Sequence, residues 1–537
     1  MTEVRKTVPE QISEKMGEYY VTGIQSIFEN GAELQQQVLE DMVALCKDTA
    51  YAKDHGFGGI QTKEEFRAKV PVSEYSDYLP YIEENMHNDN GQLTALPTEY
   101  YLLSTGKDKK GKYFVENKLG ALSRELSIGL WNLHLTKIAP IMTDPNVRML
   151  AVTNCSPIDE APNGKPVRRT SGQAAKGLWE RNPELYVFPY EFLEAEMSND
   201  DRDYLTALYT LKQRGFNMLF CNNLSYFGVL LDWIDKAAPQ MIEDIRLGKM
   251  SVTLSEKDRE ILEGGFPADS ERADELQSLL DRDGRLTAET IWPDFTVAGV
   301  WLTGSVGWVS RDVMRRLPDQ VQYIAESYGA SEGMFTIPME YGCAYGPLAA
   351  YSCYFEFLPL DGGTPLDMTE VVDGEYYELL VTTYSGLYRY NLHDIVQIKG
   401  YTGTTANVDF CCRSTDFWTF GEKKLYGYEL ETMMEQLEAK TGVTVTYYRA
   451  KADEGKLDVL LELLAEVADK EEFYRQVAAI MQEQGVQLGK VYIMKRGYHL
   501  AQYEAMMTNG RTIQTMKLPV PIEGEPEEEY VVEIVEA

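Results

Sequence analysis

Tyr388-Arg389-Tyr390-Asn391-Leu392-His393-Asp394-Ile395-Val396 is the stretch on which the reading of the fold turns. It sets an acidic side chain on a tight loop between two runs rich in β-branched and aromatic residues, 376–383 before it and 395–399 after it. Both runs predict strands, so Asp394 is expected at the mouth of a sheet. A carboxylate there can accept two hydrogen bonds from vicinal hydroxyls such as those of a ribose. The loop alone also admits a plainer reading, a turn aspartate bonded to its own backbone. The choice between the two depends on the rest of the chain.

The 537 residues allow roughly three to four compact units, or one large α/β body with an appendage. Lys and Arg number 51 against 85 Asp and Glu, a net charge of −34, which argues against a nucleic-acid or anionic-membrane surface. Any phosphate must then be held locally. Seven cysteines without metal-ligand spacing fit a reducing compartment. Residues 1–11 are polar, and no run approaches the ~20 apolar residues of a membrane span. A cytoplasmic protein is expected.

Outward from the central stretch, the pattern is one of alternating helices and strands. Val38, Met42, Leu45 and Cys46 recur at helical spacing near the start, and 126–138 is apolar enough for a buried helix in which His134 is a satisfied core histidine. Strands are expected over 149–153, 217–221, 296–302 and 321–326, each ending in a small or polar turn. That alternation predicts an α/β body with a largely parallel sheet, whose ligands sit beyond the carboxyl ends of the strands. Thr303-Gly304-Ser305 occupies one such end, and Tyr328-Gly329-Ala330-Ser331-Glu332-Gly333 follows another. The second offers a flat aromatic, hydroxyls, and a carboxylate with hard oxygens suited to Mg²⁺, although a glutamate in a glycine-bordered loop is also a common solvated residue. Ser104-Thr105-Gly106-Lys107-Asp108-Lys109-Lys110-Gly111-Lys112 is a loop of small and basic residues that either presents N–H groups and ammoniums to phosphate or forms an exposed basic turn. Its spacing is not that of a Walker loop. After a boundary within 414–421 a small α+β pattern follows, with strands at 443–449, 457–463 and 491–495, a helix at 471–483, and an acidic end over 523–537 expected to be a solvated tail.

Taken in order, these loops resemble the Gretchen Hagen family of acyl-acid amido synthetases, the auxin-responsive branch of the adenylate-forming superfamily. The resemblance spans nearly the whole chain. It includes Val70-Pro71-Val72, Tyr81-Ile82, Thr303-Gly304-Ser305, Tyr328-Gly329-Ala330-Ser331-Glu332, Tyr388-Arg389 through Asp394, and Gln514-Thr515-Met516-Lys517-Leu518-Pro519. It implies a large N-terminal domain over 1–415 that binds ATP and acid, with mainly parallel sheets, and a small mobile α+β cap over 416–537 that swings near Arg413. It also implies roles: Ser104, Thr105 and Gly106 on the phosphates, with Thr303 and Gly304 at a strand end beside them. Tyr328 with Gly329 would lie against adenine, Ser331 near the α-phosphate, Glu332 on Mg²⁺, Asp394 on the ribose hydroxyls, and Arg413 beside the ribose. Lys423 and Lys517 would be catalytic lysines brought over the nucleotide in different orientations of the cap.

Two departures from the family pattern matter. Lys107 and Asp108 replace the last two hydroxyls of the first loop, and no Arg stands between Glu125 and Val147, where plant relatives hold the acid's carboxylate. A different acyl pocket is expected. The implied activity is ATP-dependent adenylation of a small carboxylic acid followed by transfer to an amino acid, with ATP and Mg²⁺. Two rivals stand beside it: a coenzyme A ligase of the same fold, and a nucleotide-binding protein that kept the fold and lost turnover. Neither a nucleic-acid nor a membrane partner is expected, and the oligomeric state is not legible.

Overall fold

A computed structural model of the protein describes residues 5–89, 91–104, 111–153, 155, 157–172, 175–506 and 513–536. The α/β alternation is present. Arg148–Ala151, Phe216–Phe220, Val297–Val300 and Gln322–Ala325 form a four-stranded sheet in sequence order with every pairing parallel. Short apolar runs bury both faces of such a sheet, here through Leu150, Leu219, Ala298 and Ile324. Their carboxyl ends share one edge, and the loops carrying chemistry leave from it.

The largest sheet is antiparallel. It has six strands, in the order Leu366–Asp367, Cys353–Pro359, Tyr376–Thr383, Tyr390–Thr402, Thr405–Arg413 and Gly346–Pro347. Strands that follow one another through short connections pair this way, so in the large body the parallel arrangement is carried by the other sheet and by the pairing of Thr98–Leu103 with Pro166–Arg168. The tight loop expected at Asp394 is likewise a strand. Asp394 lies inside Tyr390–Thr402, opposite Arg413, and the chain turn comes earlier, at 384–389. Between the pairs Leu380↔Asn391 and Glu378↔Ile395 the register shifts, and His393 adopts φ +57°. This bulge re-aims Asp394 toward the neighbouring cleft. Arg389 of the same stretch is structural, its guanidinium clamping the buried Glu356 at 2.8 and 3.1 Å and donating to the Val70 carbonyl at 2.7 Å.

Lys118–Ile138 is the helix that covers the site. Its start is fixed by Asn117, which is fully buried. The Asn117 Oδ1 accepts from the N–H groups of Leu119 and Gly120 at 2.9 and 3.0 Å, and its amide donates to Thr94 Oγ1 and the Tyr384 carbonyl. Asn117→Ala is expected to lower stability by about 1–2 kcal/mol, read from the urea midpoint at unchanged slope. His134 is a satisfied core residue, bonded to the Met339 carbonyl at 2.8 Å.

The C-terminal part forms a separate sheet in the order Val445–Asp453, Lys456–Leu463, Leu488–Met494, Val531–Val535. The acidic end is therefore not a solvated tail throughout. Val531–Val535 alternates in burial and supplies an edge strand, and Glu525 bonds Tyr492 at 2.7 Å and pairs with Lys451. The count of acidic residues hides this period-2 pattern. One face of the sheet, with Tyr448, Val459 and Val491, packs under Gly427–Thr441 and Lys470–Glu483. The other, with Tyr447, Leu460 and Tyr492, joins the core of the parallel-sheet region. Trp308 Nε1 donates to the Val445 carbonyl at 2.9 Å, and Arg496 meets Asp312 at 2.8 Å across the same junction. No helix among the described residues is long and apolar enough to cross a membrane.

Candidate functional site

The cleft is built first by the loop after Gln322–Ala325. Residues 328–335 fold back on themselves: Gly329 bridges Met334, the Ala330 N–H donates to the Gly333 carbonyl at 2.8 Å, and the Phe335 N–H donates to the Tyr328 carbonyl at 2.8 Å. The close approach requires glycine, because a Cβ on Gly329 would stand 2.7 Å from the Met334 sulfur and 3.0 Å from the Gly333 carbonyl. Arg124, buried on the covering helix, fixes the loop from outside. Its guanidinium donates to the carbonyls of Ala330 at 3.1 Å and Ser331 at 2.6 Å and to Glu116 at 3.0 Å. Glu116 in turn accepts from the Ser385 hydroxyl. Glu332, the next residue, is thereby set with its carboxylate in the cleft.

Asp394 enters from the antiparallel sheet. Its two oxygens accept from the Tyr328 hydroxyl and from Arg413 Nη1, each at 2.7 Å. Burial, and then the Asp394 charge, hold the Tyr328 hydroxyl well above its ordinary pKa. Burial opposes the charge of Arg413, but Asp394 and then Glu332 more than offset it, so its pKa is raised. Burial also raises the Glu332 carboxyl, with Asp394 adding repulsion and Arg413 and Lys112 countering it. The carboxylates of Glu332 and Asp394 thus share one field.

Lys517 closes the cleft from the C-terminal part. Its ammonium lies 5.1 Å from the centre of the Phe410 ring and 4.7 Å from that of Trp301. Phe410 also packs against Tyr328 at 5.3 Å. Crowding by surrounding protein pulls the Lys517 pKa down, while Asp394 and Glu332 act to raise it. The segment is pinned on both sides of the lysine. Asn223, fully buried after the strand Phe216–Phe220, donates to the Tyr503 hydroxyl at 2.8 Å and to the Ile513 and Met516 carbonyls at 3.2 Å, and the Ser305 hydroxyl donates to the Leu518 carbonyl at 3.0 Å.

Thr303 and Gly304 start the helix Gly304–Met314, which points its N-terminus at this region. Gly304 has φ +60°, and a Cβ there would come within 3.2 Å of the Cys411 carbonyl and 3.4 Å of the Phe410 ring. The Thr303 side chain makes no cap bond to the helix, which leaves its hydroxyl free of that duty. The positive end of such a helix favours an anion.

The structure therefore gathers Thr303, Gly304, Tyr328, Gly329, Ser331, Glu332, Asp394, Arg413 and Lys517 around one cleft. Ser104 is described, its hydroxyl accepting from the Lys112 N–H at 3.1 Å, whereas Thr105, Gly106, Lys107 and Asp108 lie outside the described residues. Lys423 is turned away, bonded to the Gln484 carbonyl and 4.0 Å from Glu429. Sequence reasoning missed Arg124. Its signal was an arginine within an apolar helix, eight residues after Glu116.

Residues 21–311 match the model described as the GH3 family N-terminal domain, and residues 346–413 match the GH3 family central domain. The indole-3-acetic acid-amido synthetase GH3.6 of Arabidopsis thaliana is 23% identical over 457 residues, covering 77% of this chain and 72% of that one. Among solved structures, AtGH3.15 acyl acid amido synthetase in complex with 2,4-DB superposes with a TM-score of 0.83 at 19% identity, covering 100% of this chain and 99% of that one. A 2-hydroxyisobutyryl-CoA ligase in the postadenylation state, in complex with 2-HIB-AMP, gives a TM-score of 0.50 at 14% identity, covering 94% of this chain and 90% of that one. These two likenesses concern the fold.

Proposed function

Because the chain belongs to the GH3 (Gretchen Hagen) family, we propose that it is an ATP-dependent ligase that adenylates a small carboxylic acid and passes the acyl group to the amine of an amino acid. The observation that carries this reading is the convergence of Glu332, Asp394, Arg413 and Lys517, from three separate parts of the fold, on one cleft.

A carboxylate is a poor acyl donor because its leaving group would be oxide. Joining it to AMP, with loss of pyrophosphate, gives a mixed anhydride whose leaving group is a phosphate monoester. On this reading Asp394 and Arg413 hold the ribose, Tyr328 and Gly329 lie against the base, and Ser331 stands near the α-phosphate. Ser104, Thr105 and Gly106 reach the outer phosphates with Thr303 and Gly304 beside them. Lys517 supports the negative charge that grows on the phosphoryl oxygens as the acid attacks. The residues fit a divalent cation: Glu332 offers a desolvated hard carboxylate, and Asp394 adds a second negative charge against those of Arg413 and Lys112. When bound there, Mg²⁺ neutralises charge on the phosphates. Expulsion of AMP then needs only the acceptor amine held against the acyl carbon, a matter of positioning rather than of a protein nucleophile. Residues 416–537 act as the cap in this scheme, and Lys423 is the lysine that a second orientation of the cap would present.

The test is AMP release from ATP with a panel of acids, supplied either with mixed amino acids or with coenzyme A. Release that depends on coenzyme A would sink the amide reading, and Mg·ATP binding without acid-dependent pyrophosphate exchange would favour a binding protein. Asp394→Ala is expected to weaken ATP binding by about 10- to 100-fold in calorimetry, the loss of a charge-assisted pair of hydrogen bonds. Unchanged affinity would remove Asp394 from the ribose.

A further inference from the structure

At the carboxyl ends of the parallel strands, next to Lys517, stands a wall that the adenylate reading does not use. The Phe220 ring lies over Gly299, where a Cβ would sit 2.2 Å from it, and it meets the Trp131 ring of the covering helix edge-on at 5.5 Å. Trp301 follows Gly299 by two residues and projects from the same sheet face, with the Lys517 ammonium 4.7 Å from its ring centre. Ile324 is the register partner of Gly299, so Glu326, two residues on, emerges beside Trp301 on that face. The Glu326 N–H donates to the Val300 carbonyl at 3.0 Å, which carries the ladder this far.

The Glu326 carboxyl is half-buried and receives no hydrogen bond or ion pair among the described residues; burial alone pushes its pKa up to about 8. The indole N–H of Trp131 is buried and also lacks an acceptor there. No arginine of the covering helix answers the carboxyl, because Arg124 is committed to the carbonyls of Ala330 and Ser331 and to Glu116. A lone carboxyl withdrawn from water is costly to ionise, and an incoming cation removes that cost.

We propose that the acid's pocket runs from Lys517 across Trp301 and Phe220 to Glu326, and that it takes an aromatic carboxylic acid carrying a basic amine at the end remote from the reacting carboxylate. This rests on the adenylation reading for the reaction but on this wall for the substrate class. Lys517 receives the carboxylate, the rings of Trp131, Phe220 and Trp301 receive the aromatic body, and Glu326 pairs with the ammonium through a charge-assisted hydrogen bond.

The probes are 4-(aminomethyl)benzoate and 4-methylbenzoate, which differ by the ammonium group. Binding is followed by calorimetry on the full-length protein with Mg·AMP present, and turnover by pyrophosphate exchange. The wild type is expected to bind the amine at least about tenfold more tightly than the methyl compound, and Glu326→Leu to reverse that order while Glu326→Gln narrows it. Equal or inverted preference in the wild type, a preference untouched by Glu326→Leu, or no binding of either compound would overturn the pocket. Preferential binding of the amine without exchange would leave the pocket standing and sink adenylation. Exchange with other acids but not with the amine would do the reverse.

Discussion

Lys517→Ala is expected to slow acid-dependent pyrophosphate exchange by about 10²- to 10³-fold, the size of effect seen when one preorganised donor to a developing oxyanion is removed. The ammonium is held between Phe410 and Trp301 with Asp394 and Glu332 as the strongest acidic influences, so the fold aims it into the cleft. ATP affinity should change far less than the rate, because Asp394, Arg413 and Tyr328 remain in place. Lys517→Arg should recover only part of the loss, since a planar fork does not reproduce a compact ammonium. Exchange within about threefold of wild type in the alanine variant would put the lysine outside the reaction.

Arg124→Met should cost about 3–5 kcal/mol of stability, because it leaves Glu116 buried and unpaired. Glu116 is 2% exposed, and it keeps only the Ser385 hydroxyl when the guanidinium is gone. The carbonyls of Ala330 and Ser331 lose their donors at the same time. Adding Glu116→Gln to the variant should restore much of the stability, because the buried charge is then absent, but not the pyrophosphate exchange, because the loop before Glu332 is still unclamped. Urea denaturation separates the first effect and the exchange assay the second. A single variant as stable as wild type would show the pair to be solvated.

Much of this was legible in the chain. The parallel strands announce themselves as apolar runs bounded by turn residues, and 217–221, 296–302 and 321–326 lie within a residue or two of the observed Phe216–Phe220, Val297–Val300 and Gln322–Ala325. What the sequence conceals is whatever depends on partners far along it. Arg124 meets acceptors 206 and 207 positions away, and its place in an apolar helix signals burial without naming those partners. Asp394 was expected on a loop because a left-handed histidine and a register shift leave no mark in composition. The edge strand Val531–Val535 was masked by the acidic residues around it. Glu326 reads as an ordinary strand-end glutamate until the register of its strand with Gly299 is drawn. The grouping of Tyr328, Glu332, Asp394, Arg413 and Lys517 came from family resemblance, which supplies the order of motifs but not the contacts.

The amide of Asn223 has two hydrogens and serves three acceptors, all on the stretch that leads up to Lys517. One side chain thus ties three points of that stretch to the exit of the strand Phe216–Phe220, so Asn223→Ala is expected to loosen all three together. Because Asn223 stands three residues beyond Phe220, a single turn of chain joins the wall proposed for the acid to the anchor of the lysine.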